Sequence, residues 1–327
     1  MPTARALQFV APGQVQLIDV EIAPPAPDQL ALRMLATSLC NYSELRSFRG
    51  GEASGYGSRY PMLPGEPGHE GVGEIIAIGE NVEGFAPGDL VAVTGWGGEP
   101  AHCSHLLRRA SAVAKIHPHE RDPKPASILE MFGCAYHCLR VGWSQPAGYD
   151  NSNVAVIGAG AIGLCSLQLL RLWPLTSISV FDTNPAKLKL AQRLGADQII
   201  VVPRDEQVET FARKLTRFEV VAECSGHVSG QKLAHALRPP VLINVSYCPL
   251  PFPVNQAEWF EATTTIYNPG IVTDGELRAV ANLYNRRLLD PGSMISRRLS
   301  PDPASYLETI AAIARGEIVK ALIDWQA

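Results

Sequence analysis

The sequence predicts an α/β protein with two domains, one rich in β-strands and one built on a doubly wound parallel sheet. Two observations indicate this class. Short β-type runs dominate the chain up to about Pro125, and strand and helix patterns alternate regularly from Ser152. A length of 327 residues also suits two domains. We assign residues 1–147 and 288–327 to the first domain and 148–287 to the second.

The β-rich part of the chain consists of short runs separated by turn residues. The predicted strands are Gln14 to Val20, Gln29 to Leu35, Gly71 to Gly79, and Leu90 to Val93. Near the C-terminus, Tyr306 to Arg315 has a helical pattern and Ala321 to Trp325 is strand-like. We expect these last elements to return to the first domain.

The second domain alternates buried strand patterns with amphipathic helical ones, which is typical of a parallel sheet covered by helices on both faces. The strand candidates are 154–157, 177–181, 198–202, 219–223 and 241–245. Helical patterns occupy 186–194 and 231–237. In such a sheet we expect a cofactor at the carboxyl ends of the strands.

A glycine-rich turn follows the first of these strands and matches G-x-G-x-x-G, with Gly158, Gly160 and Gly163. Such a turn directs a helix N-terminus and backbone N–H groups, here including Ala161 and Ile162, at a bound pyrophosphate. The first glycine permits the turn, the second lets phosphates approach, and the third lets the helix lie against the strand. The turn therefore predicts a dinucleotide site.

An acidic residue at the end of the second strand of this unit supports the same interpretation. Asp182 lies 19 residues after Gly163, where a carboxylate accepts hydrogen bonds from an adenosine ribose. Its charge repels a 2′-phosphate, so NAD is favoured over NADP. The alternative is that Asp182 only caps the helix beginning near Pro185. Lys187 is a candidate ribose contact, although a lysine on a helix face is more often solvated.

Composition excludes several classes of partner. The formal charge is −4, from 28 basic and 32 acidic residues, which gives no electrostatic reason to expect nucleic acid or an anionic membrane. We see no signal peptide and no bilayer-spanning run, so we expect a cytosolic protein that acts on a small molecule. Seven cysteines in a chain of this size suggest free thiols or a metal ligand rather than a disulfide framework.

A second candidate site consists of four residues that precede the nucleotide unit in the sequence: Cys40, His69, Glu70 and Glu130. A thiolate, an imidazole and carboxylates from separate segments are the ligands of a catalytic zinc that keeps one position open. Each residue alone has an ordinary structural explanation, as a buried thiol, a turn histidine or a residue in the first turn of a helix.

The order of these motifs resembles the medium-chain dehydrogenase/reductase family, and within it the zinc-dependent alcohol and polyol dehydrogenases. The resemblance covers almost the whole chain. It rests on the runs Gly65-Glu66-Pro67-Gly68-His69-Glu70-Gly71-Val72-Gly73 and Pro87-Gly88-Asp89-Leu90-Val91, and on Gly158 to Gly163 with Asp182.

The resemblance implies a GroES-like β domain and a Rossmann domain with the active site in the cleft, and a homodimer or homotetramer formed through the Rossmann domain. Cys40 and His69 match zinc ligands, and Glu130 matches the third ligand. Glu70 matches a residue that binds the metal directly or sits behind it. Ser225 belongs to a segment, Val220 to Gly226, that resembles the family's segment beside the cofactor.

Two departures from the family pattern matter. The residues after the first cysteine are normally a small residue, Ser or Thr, and then Asp, but here they are Asn41, Tyr42 and Ser43. The Tyr42 phenol would therefore relay the substrate's proton or only wall the pocket. With Ser43 in place of the carboxylate, we expect another group, such as Glu44, to support His69.

The second departure is the loss of the four cysteines that bind a structural zinc in many relatives. Val93 to His105 contains only Cys103, so we expect no structural zinc. His102, Cys103 and His105 have the residue types of a metal-ligand cluster, but His102 and Cys103 point to opposite faces if they lie on a strand, so we interpret them as a solvated strand edge.

These features predict an oxidoreductase that transfers a hydride between a secondary alcohol, with a weak preference for a polyol or sugar-like one, and NAD at one catalytic zinc. The first alternative is a zinc-free quinone or enoyl reductase of the same fold, although such relatives generally lack the cysteine and histidine. The second is a non-catalytic NAD-binding protein.

Overall fold

The computed structural model describes residues 3–50, 59–95, 99–117, 122–143, 150–203, 207–248, 250–251, 256–270 and 274–327. The chain forms two compact units, Met1–Gly133 with Thr273–Ala327 and Cys134–Val272. The division differs from the predicted one. The predicted boundary at 147/148 lies outside the described residues, and the return to the first unit comes at 272/273 rather than at 287/288.

The described strands, in chain order, are β1 (Thr3–Ala11), β2 (Gln14–Glu21), β3 (Gln29–Ser38), β4 (Glu70–Ile78), β5 (Leu90–Thr94), β6 (His105–Arg109), β7 (Val113–Lys115), β8 (Asn153–Ile157), β9 (Ser177–Asp182), β10 (Gln198–Val201), β11 (Val220–Glu223), β12 (Val241–Asn244), β13 (Thr265–Tyr267), β14 (Ile295–Leu299) and β15 (Lys320–Asp324). The α-helices are α1 (Asn41–Phe48), α2 (Leu129–Trp143), α3 (Ala161–Leu170), α4 (Pro185–Arg193), α5 (Val208–Ala212), α6 (Val228–Ala236), α7 (Gln256–Ala262), α8 (Asp274–Asn285) and α9 (Pro303–Ala314). None of these helices has the length and apolar character needed to cross a membrane.

The first unit is built on a seven-stranded sheet of order β14-β15-β3-β4-β5-β7, in which β6 also pairs with β3; a separate hairpin joins β1 and β2. The register places Ser38 beside Glu70 on one side and Leu322 on the other. The end of β3 and the starts of β4 and β15 therefore meet at one edge of the sheet. Apolar side chains such as Phe9, Ile75 and Ile310 fill the core below it.

Helix α8 explains why the chain returns to the first unit earlier than predicted. Its Asn285 accepts a hydrogen bond from the His117 backbone N–H at 2.7 Å and donates one to the Lys115 carbonyl at 3.2 Å. Arg278 donates to the Ser111 carbonyl at 3.2 Å. These bonds attach α8 to β7, a strand of the first unit, which the helical pattern of the sequence does not reveal.

The second unit is a six-stranded parallel sheet of order β10-β9-β8-β11-β12-β13. This is the order of a dinucleotide-binding doubly wound fold, with the strand order reversing between β8 and β11. The predicted strands agree with the observed ones to within one residue at each end. The predicted fold class, a GroES-like β domain with a Rossmann domain, is confirmed.

Candidate active site

Cys40 lies between β3 and α1 and is the N-cap residue of that helix. Its backbone carbonyl accepts the first helical hydrogen bond, from the Glu44 N–H at 2.9 Å. A helix N-terminus carries a partial positive charge, so it favours the thiolate form of a cysteine placed there.

His69 directly precedes β4, in a turn that begins at Gly65. Its Nδ1 donates a hydrogen bond to the Pro67 carbonyl at 2.9 Å. This bond orients the ring and leaves Nε2 directed at the neighbouring donor atoms, the arrangement that a metal-binding histidine usually has. The His69 side chain is 23% exposed, so the site remains accessible.

Glu70 begins β4, and its side chain is only 1% exposed. One carboxylate oxygen accepts a hydrogen bond from the Lys320 ammonium at 2.6 Å, and the other accepts one from the Ser38 hydroxyl at 2.7 Å. The Lys320 side chain is also 1% exposed, so this is a buried ion pair between residues that lie 250 positions apart. A buried carboxylate needs such partners because burial without them is costly.

The charges of the cluster are coupled. Burial alone would raise the pKa of the Cys40 thiol, but a hydrogen bond with His69 and the charges of His69 and Lys320 bring it below its ordinary value. Burial alone would lower the pKa of His69, but the same bond and the Cys40 and Glu130 charges hold it well above its ordinary value. The metal-free cluster therefore favours a thiolate beside an imidazolium.

The donor atoms fit one metal ion. The Cys40 sulfur, a ring nitrogen of His69 and a carboxylate oxygen of Glu70 all lie within 4.8 Å of one another. A tetrahedral ion with bonds of about 2.0–2.3 Å holds its ligand atoms about 3.3–3.8 Å apart. Small side-chain movements would bring these three atoms to that spacing, and their mixture of sulfur, nitrogen and oxygen is typical of zinc.

Glu130 lies near the start of α2 and is 3% exposed. It is outside the group of three whose donor atoms lie within 4.8 Å of one another among the described residues. Its charge nevertheless acts on both His69 and Lys320, raising the pKa of each. The residue that resemblance makes the third ligand thus lies outside the group of three, and its charge acts on that group.

Tyr42 lies in the first turn of α1, two residues after Cys40. Its side chain is 38% exposed, and the guanidinium of Arg46 lies 6.0 Å from the ring centroid. The sequence analysis did not predict this helix, because its buried residues are the polar Glu44 and Ser47 rather than an apolar stripe.

Two expectations about neighbouring residues are wrong. Glu44 does not support His69; its fully buried carboxylate accepts hydrogen bonds from His102 and Tyr306. His102 and Cys103 are not a solvated strand edge, because their exposed fractions are 0% and 8%. The support for His69 that the sequence left open comes from the Pro67 carbonyl.

In the second unit, the glycine turn has the geometry that its sequence predicts. Gly158 adopts φ +102°, a conformation that favours glycine, and a Cβ on Gly163 would lie 1.8 Å from the Gly158 carbonyl oxygen. A Cβ on Gly160 would meet no atom within 4 Å. Gly160 is the N-cap residue of α3, and Ala161 and Ile162 begin the helix, so the space beside Gly160 suits a phosphate.

Asp182 ends β9, and its carboxylate accepts hydrogen bonds from the Ala159 N–H and the Asn184 N–H, each at 2.7 Å. The first bond ties Asp182 to the glycine turn. The N-cap residue of α4 is Asn184, so the alternative role of Asp182 as the cap of that helix is not observed. Lys187 lies in the first turn of α4 and is half-buried.

Ser225 follows β11 and lies against the glycine turn, since a Cβ on Gly158 would be 2.9 Å from the Ser225 Cα. Its hydroxyl donates to Glu223, a fully buried carboxylate that also accepts from Gln231 and Ser246. Sequence reasoning missed this network, which fixes the ends of β11 and β12.

Comparisons with known proteins agree with this geometry. Residues 26–138 match the model of the alcohol dehydrogenase GroES-like domain, and residues 161–240 match that of zinc-binding dehydrogenases. The chain is 26% identical over 245 residues to D-altritol 5-dehydrogenase from Agrobacterium fabrum, which covers 68% of this chain and 69% of that protein. It is 24% identical to bovine sorbitol dehydrogenase over 259 residues, 69% of each chain.

Among solved structures, galactitol-1-phosphate dehydrogenase from Escherichia coli superimposes with a TM-score of 0.79 at 20% identity, covering 98% of this chain and 99% of that one. Because the identity is low, this likeness speaks for the fold alone. The two family models together span more than half of the chain and include Cys40, His69, Glu70, Glu130 and Asp182, whereas Gly158 and Gly160 lie just before the second match. The chain belongs to the medium-chain dehydrogenase/reductase family, and within it is similar to the zinc-type alcohol and polyol dehydrogenases.

Proposed function

We propose that this protein is an oxidoreductase that transfers a hydride between a secondary alcohol and NAD, with one catalytic zinc ion. The observation that carries the proposal is the cluster of a thiol, an imidazole and a carboxylate whose donor atoms lie within 4.8 Å of one another. The zinc, when bound, supplies a Lewis acid that lowers the pKa of the substrate hydroxyl, and the nicotinamide accepts the hydride.

Charge supports a divalent cation in this cluster. The Cys40 thiolate and the Glu70 and Glu130 carboxylates formally carry three negative charges, and Lys320 carries one positive charge. With His69 neutral, as a metal ligand must be, the remaining formal charge of −2 equals that of one divalent ion. Cys40 and His69 would bind the metal, and Glu70 or Glu130 would complete the protein ligands.

We assign the proton-relay role to Tyr42. Its phenol follows Cys40 by two residues in the first turn of α1, and its partial exposure connects it to solvent. A phenol both donates and accepts a hydrogen bond, so it can take up the hydroxyl proton and pass it outward. Tyr42→Phe should lower kcat by about 100-fold or more while the metal content stays unchanged.

For the cofactor we propose NAD rather than NADP. Asp182 places a carboxylate at the end of β9, two residues before the N-cap of α4, and a 2′-phosphate there would meet like charge. Lys187 in the first turn of α4 is the cation nearest in sequence, and we assign it to the ribose. A protein from Sinorhizobium meliloti with a TM-score of 0.82 at 21% identity was crystallised with NADP, so direct titration with both cofactors is needed.

We propose a polyol or a related polyhydroxylated molecule as the substrate. D-altritol, sorbitol and galactitol 1-phosphate appear in the names of similar dehydrogenases. The two glutamates at the proposed metal site, Glu70 and Glu130, favour the same class of substrate. Their carboxylates accept hydrogen bonds, and a polyol has several hydroxyl groups that donate them.

The test is metal analysis and turnover of protein purified without added zinc. We expect about one zinc per chain, NAD reduction with a polyol panel, and loss of both in Cys40→Ser and His69→Gln. Turnover should fall at least about 100-fold, because metal polarisation contributes several kcal/mol. Cys248→Ser is the matched control, since that half-buried thiol lies in the other unit.

Two outcomes would contradict the proposal. Reduction of quinones or enoyl compounds by protein that contains no metal would favour the zinc-free reductase. Tight NAD binding without turnover of any alcohol or ketone would favour the non-catalytic protein.

A further inference from the structure

A buried hydrogen-bonded chain of five side chains runs through the first unit beside the metal cluster. The Trp325 indole donates to the Thr37 hydroxyl at 3.0 Å, and that hydroxyl lies 2.9 Å from the Nδ1 atom of His102. The Nε2 atom of His102 lies 2.9 Å from one Glu44 oxygen, and the Tyr306 hydroxyl donates to the other. Thr37, Glu44, His102 and Tyr306 are all 0% exposed.

The proton positions in this chain follow from the chemistry of the partners. An ionised carboxylate only accepts hydrogen bonds, so the Nε2 atom of His102 carries a proton and donates it to Glu44. The Tyr306 phenol donates to the same carboxylate, and burial, followed by the Glu44 charge, raises the pKa of that phenol well above its ordinary value. Glu44 therefore receives two fixed donors, and its orientation is fully determined.

Glu44 connects this series of hydrogen bonds to the segment that carries Cys40. Glu44 lies in α1, and its backbone N–H donates to the Cys40 carbonyl at 2.9 Å. Holding the Glu44 side chain therefore holds the first turn of the helix whose N-cap residue is Cys40. The hydrogen bond to Tyr306 anchors the same turn to α9.

The other side of His102 is pressed against the segment that carries His69. A Cβ on Gly68 would lie 2.4–2.6 Å from three atoms of the His102 ring. Backbone hydrogen bonds join the same two segments. The His102 N–H donates to the Gly65 carbonyl at 3.0 Å, and the Ala101 N–H donates to the Gly68 carbonyl at 2.8 Å. The same turn contains the Pro67 carbonyl that orients His69.

We propose that His102, held by Glu44 and Tyr306, is a positioning residue that fixes the distance between Cys40 and His69 in the metal site. It joins the two ligand-bearing segments, one by a hydrogen bond and one by ring contact, without touching the metal itself. The inference rests on the proposed function, because it assigns Cys40 and His69 as ligands. No motif predicted it, since the partners of His102 come from positions 37, 44 and 306.

The test measures metal affinity rather than activity. Tyr306→Phe removes only the hydroxyl that holds Glu44, and His102→Gln keeps a donor for Glu44 but loses the ring that contacts Gly68. We expect both variants to bind Co²⁺ about tenfold more weakly or worse, as observed when groups that orient metal ligands are removed. The thiolate-to-cobalt absorption band should shift or weaken, which reports on the sulfur directly. Free Co²⁺ is set by competition with a chelator.

Thr309→Val is the matched control, because it removes a buried hydroxyl from the same helix, α9, and among the described residues that hydroxyl bonds to the Ser305 carbonyl alone, at 2.7 Å. It should lower the melting temperature as Tyr306→Phe does and leave the cobalt affinity unchanged. Equal cobalt affinity and an identical spectrum in wild type, Tyr306→Phe and His102→Gln would overturn the inference. A wild-type protein that binds no Co²⁺ would instead overturn the proposed function, so the two failures are distinct.

Discussion

At the scale of single residues, Cys40 differs from two other buried thiols, Cys103 and Cys138. Burial raises the pKa of Cys103 to about 12 and that of Cys138 to about 11, whereas the charges around Cys40 lower its pKa despite burial. Thiolates, not thiols, react with alkylating agents. We expect iodoacetamide at pH 7 to label Cys40 in metal-free protein and to leave Cys103 and Cys138 unmodified, as checked by peptide mass spectrometry.

The lowered pKa of Cys40 also predicts how its labelling by iodoacetamide depends on pH. A lowered pKa keeps the thiolate populated as the pH falls, so labelling of Cys40 should persist to lower pH than labelling of free cysteine in solution. Added zinc should protect Cys40 and leave the reaction at Cys248 unchanged. Labelling of Cys40 with the pH profile of free cysteine would contradict the charge arrangement described for the cluster.

The buried pair of Glu70 and Lys320 makes a second prediction. Lys320→Met leaves a buried carboxylate without its cation, so the free energy of unfolding of the metal-free protein should fall by about 3–5 kcal/mol. The double substitution Glu70→Gln with Lys320→Met removes both charges and should recover most of that loss. Urea unfolding measures all three proteins, and an additive double mutant would show that the pair does not interact.

The same pair has a defined pH window. Burial lowers the pKa of Lys320, but the Glu70 and Cys40 charges outweigh it and raise the pKa above the ordinary 10.5. The stability that this shift contributes is fully present below about pH 10 and is lost as the pH rises through the raised value. The contribution of the Lys320 titration itself should therefore be constant from pH 6 to pH 9, and a change in the difference between wild type and Lys320→Met over this range would report on Cys40, whose pKa Lys320 also lowers.

Some of these residue roles were readable in the sequence and others were not. Cys40 and His69 stand out because their residue types and their order match a known ligand pattern. Lys320 and His102 carry no such signal, because each is defined by a partner 250 or 58 positions away. Contacts between residues so distant in the chain depend on strand register, which local patterns do not determine.

At the scale of elements, a strand or helix was predicted correctly from the sequence when the side chains that it buries are apolar. The inner strands β8, β9, β11 and β12 of the parallel sheet are buried on both faces, so they read as continuous apolar runs with sharp ends. Helix α1 buries Glu44 and Ser47 instead, and no apolar periodicity marks it. We predicted residues 148–287, and with them helix α8, in the second domain, but hydrogen bonds to Lys115 and His117 attach this helix to the first unit.

The glycine turn before α3 allows folding and cofactor binding to be separated. Gly163→Ala would place a Cβ 1.8 Å from the Gly158 carbonyl oxygen, so α3 must move away from β8. We expect a loss of about 1–3 kcal/mol of stability together with weaker NADH binding. Thermal unfolding and fluorescence titration with NADH measure the two effects.

Gly160→Ala is the comparison for that experiment. Gly160 has a negative φ of −76° and open space around its Cα, so alanine fits without strain. Its methyl group would occupy the space assigned to the pyrophosphate. The melting temperature should therefore stay unchanged while NADH affinity falls, and unchanged affinity would show that the phosphates bind elsewhere.

At the scale of the whole molecule, the sheet of the second unit ends at β13 among the described strands, and apolar side chains lie exposed nearby in sequence. Phe260 is 84% exposed, and Tyr247 and Leu250, which line a cavity with Trp259 and Ile266, are more than half exposed. Exposed apolar side chains of this size commonly mark interfaces. Tyr247 and Leu250 follow β12, at the carboxyl ends of the strands where we expect the cofactor, so Phe260 is the side chain that we predict to lie in the homodimer or homotetramer interface that the resemblance implies.

Phe260→Asp should therefore weaken self-association, because a carboxylate cannot be buried at an apolar interface without a partner. We expect wild-type protein to sediment as a dimer or tetramer at micromolar concentration and Phe260→Asp to shift toward the monomer. Leu172→Asp, at a 41% exposed leucine after α3, is the control and should sediment as wild type does. A monomeric wild-type protein, or equal sedimentation of Phe260→Asp and wild type, would remove this face from the proposed assembly.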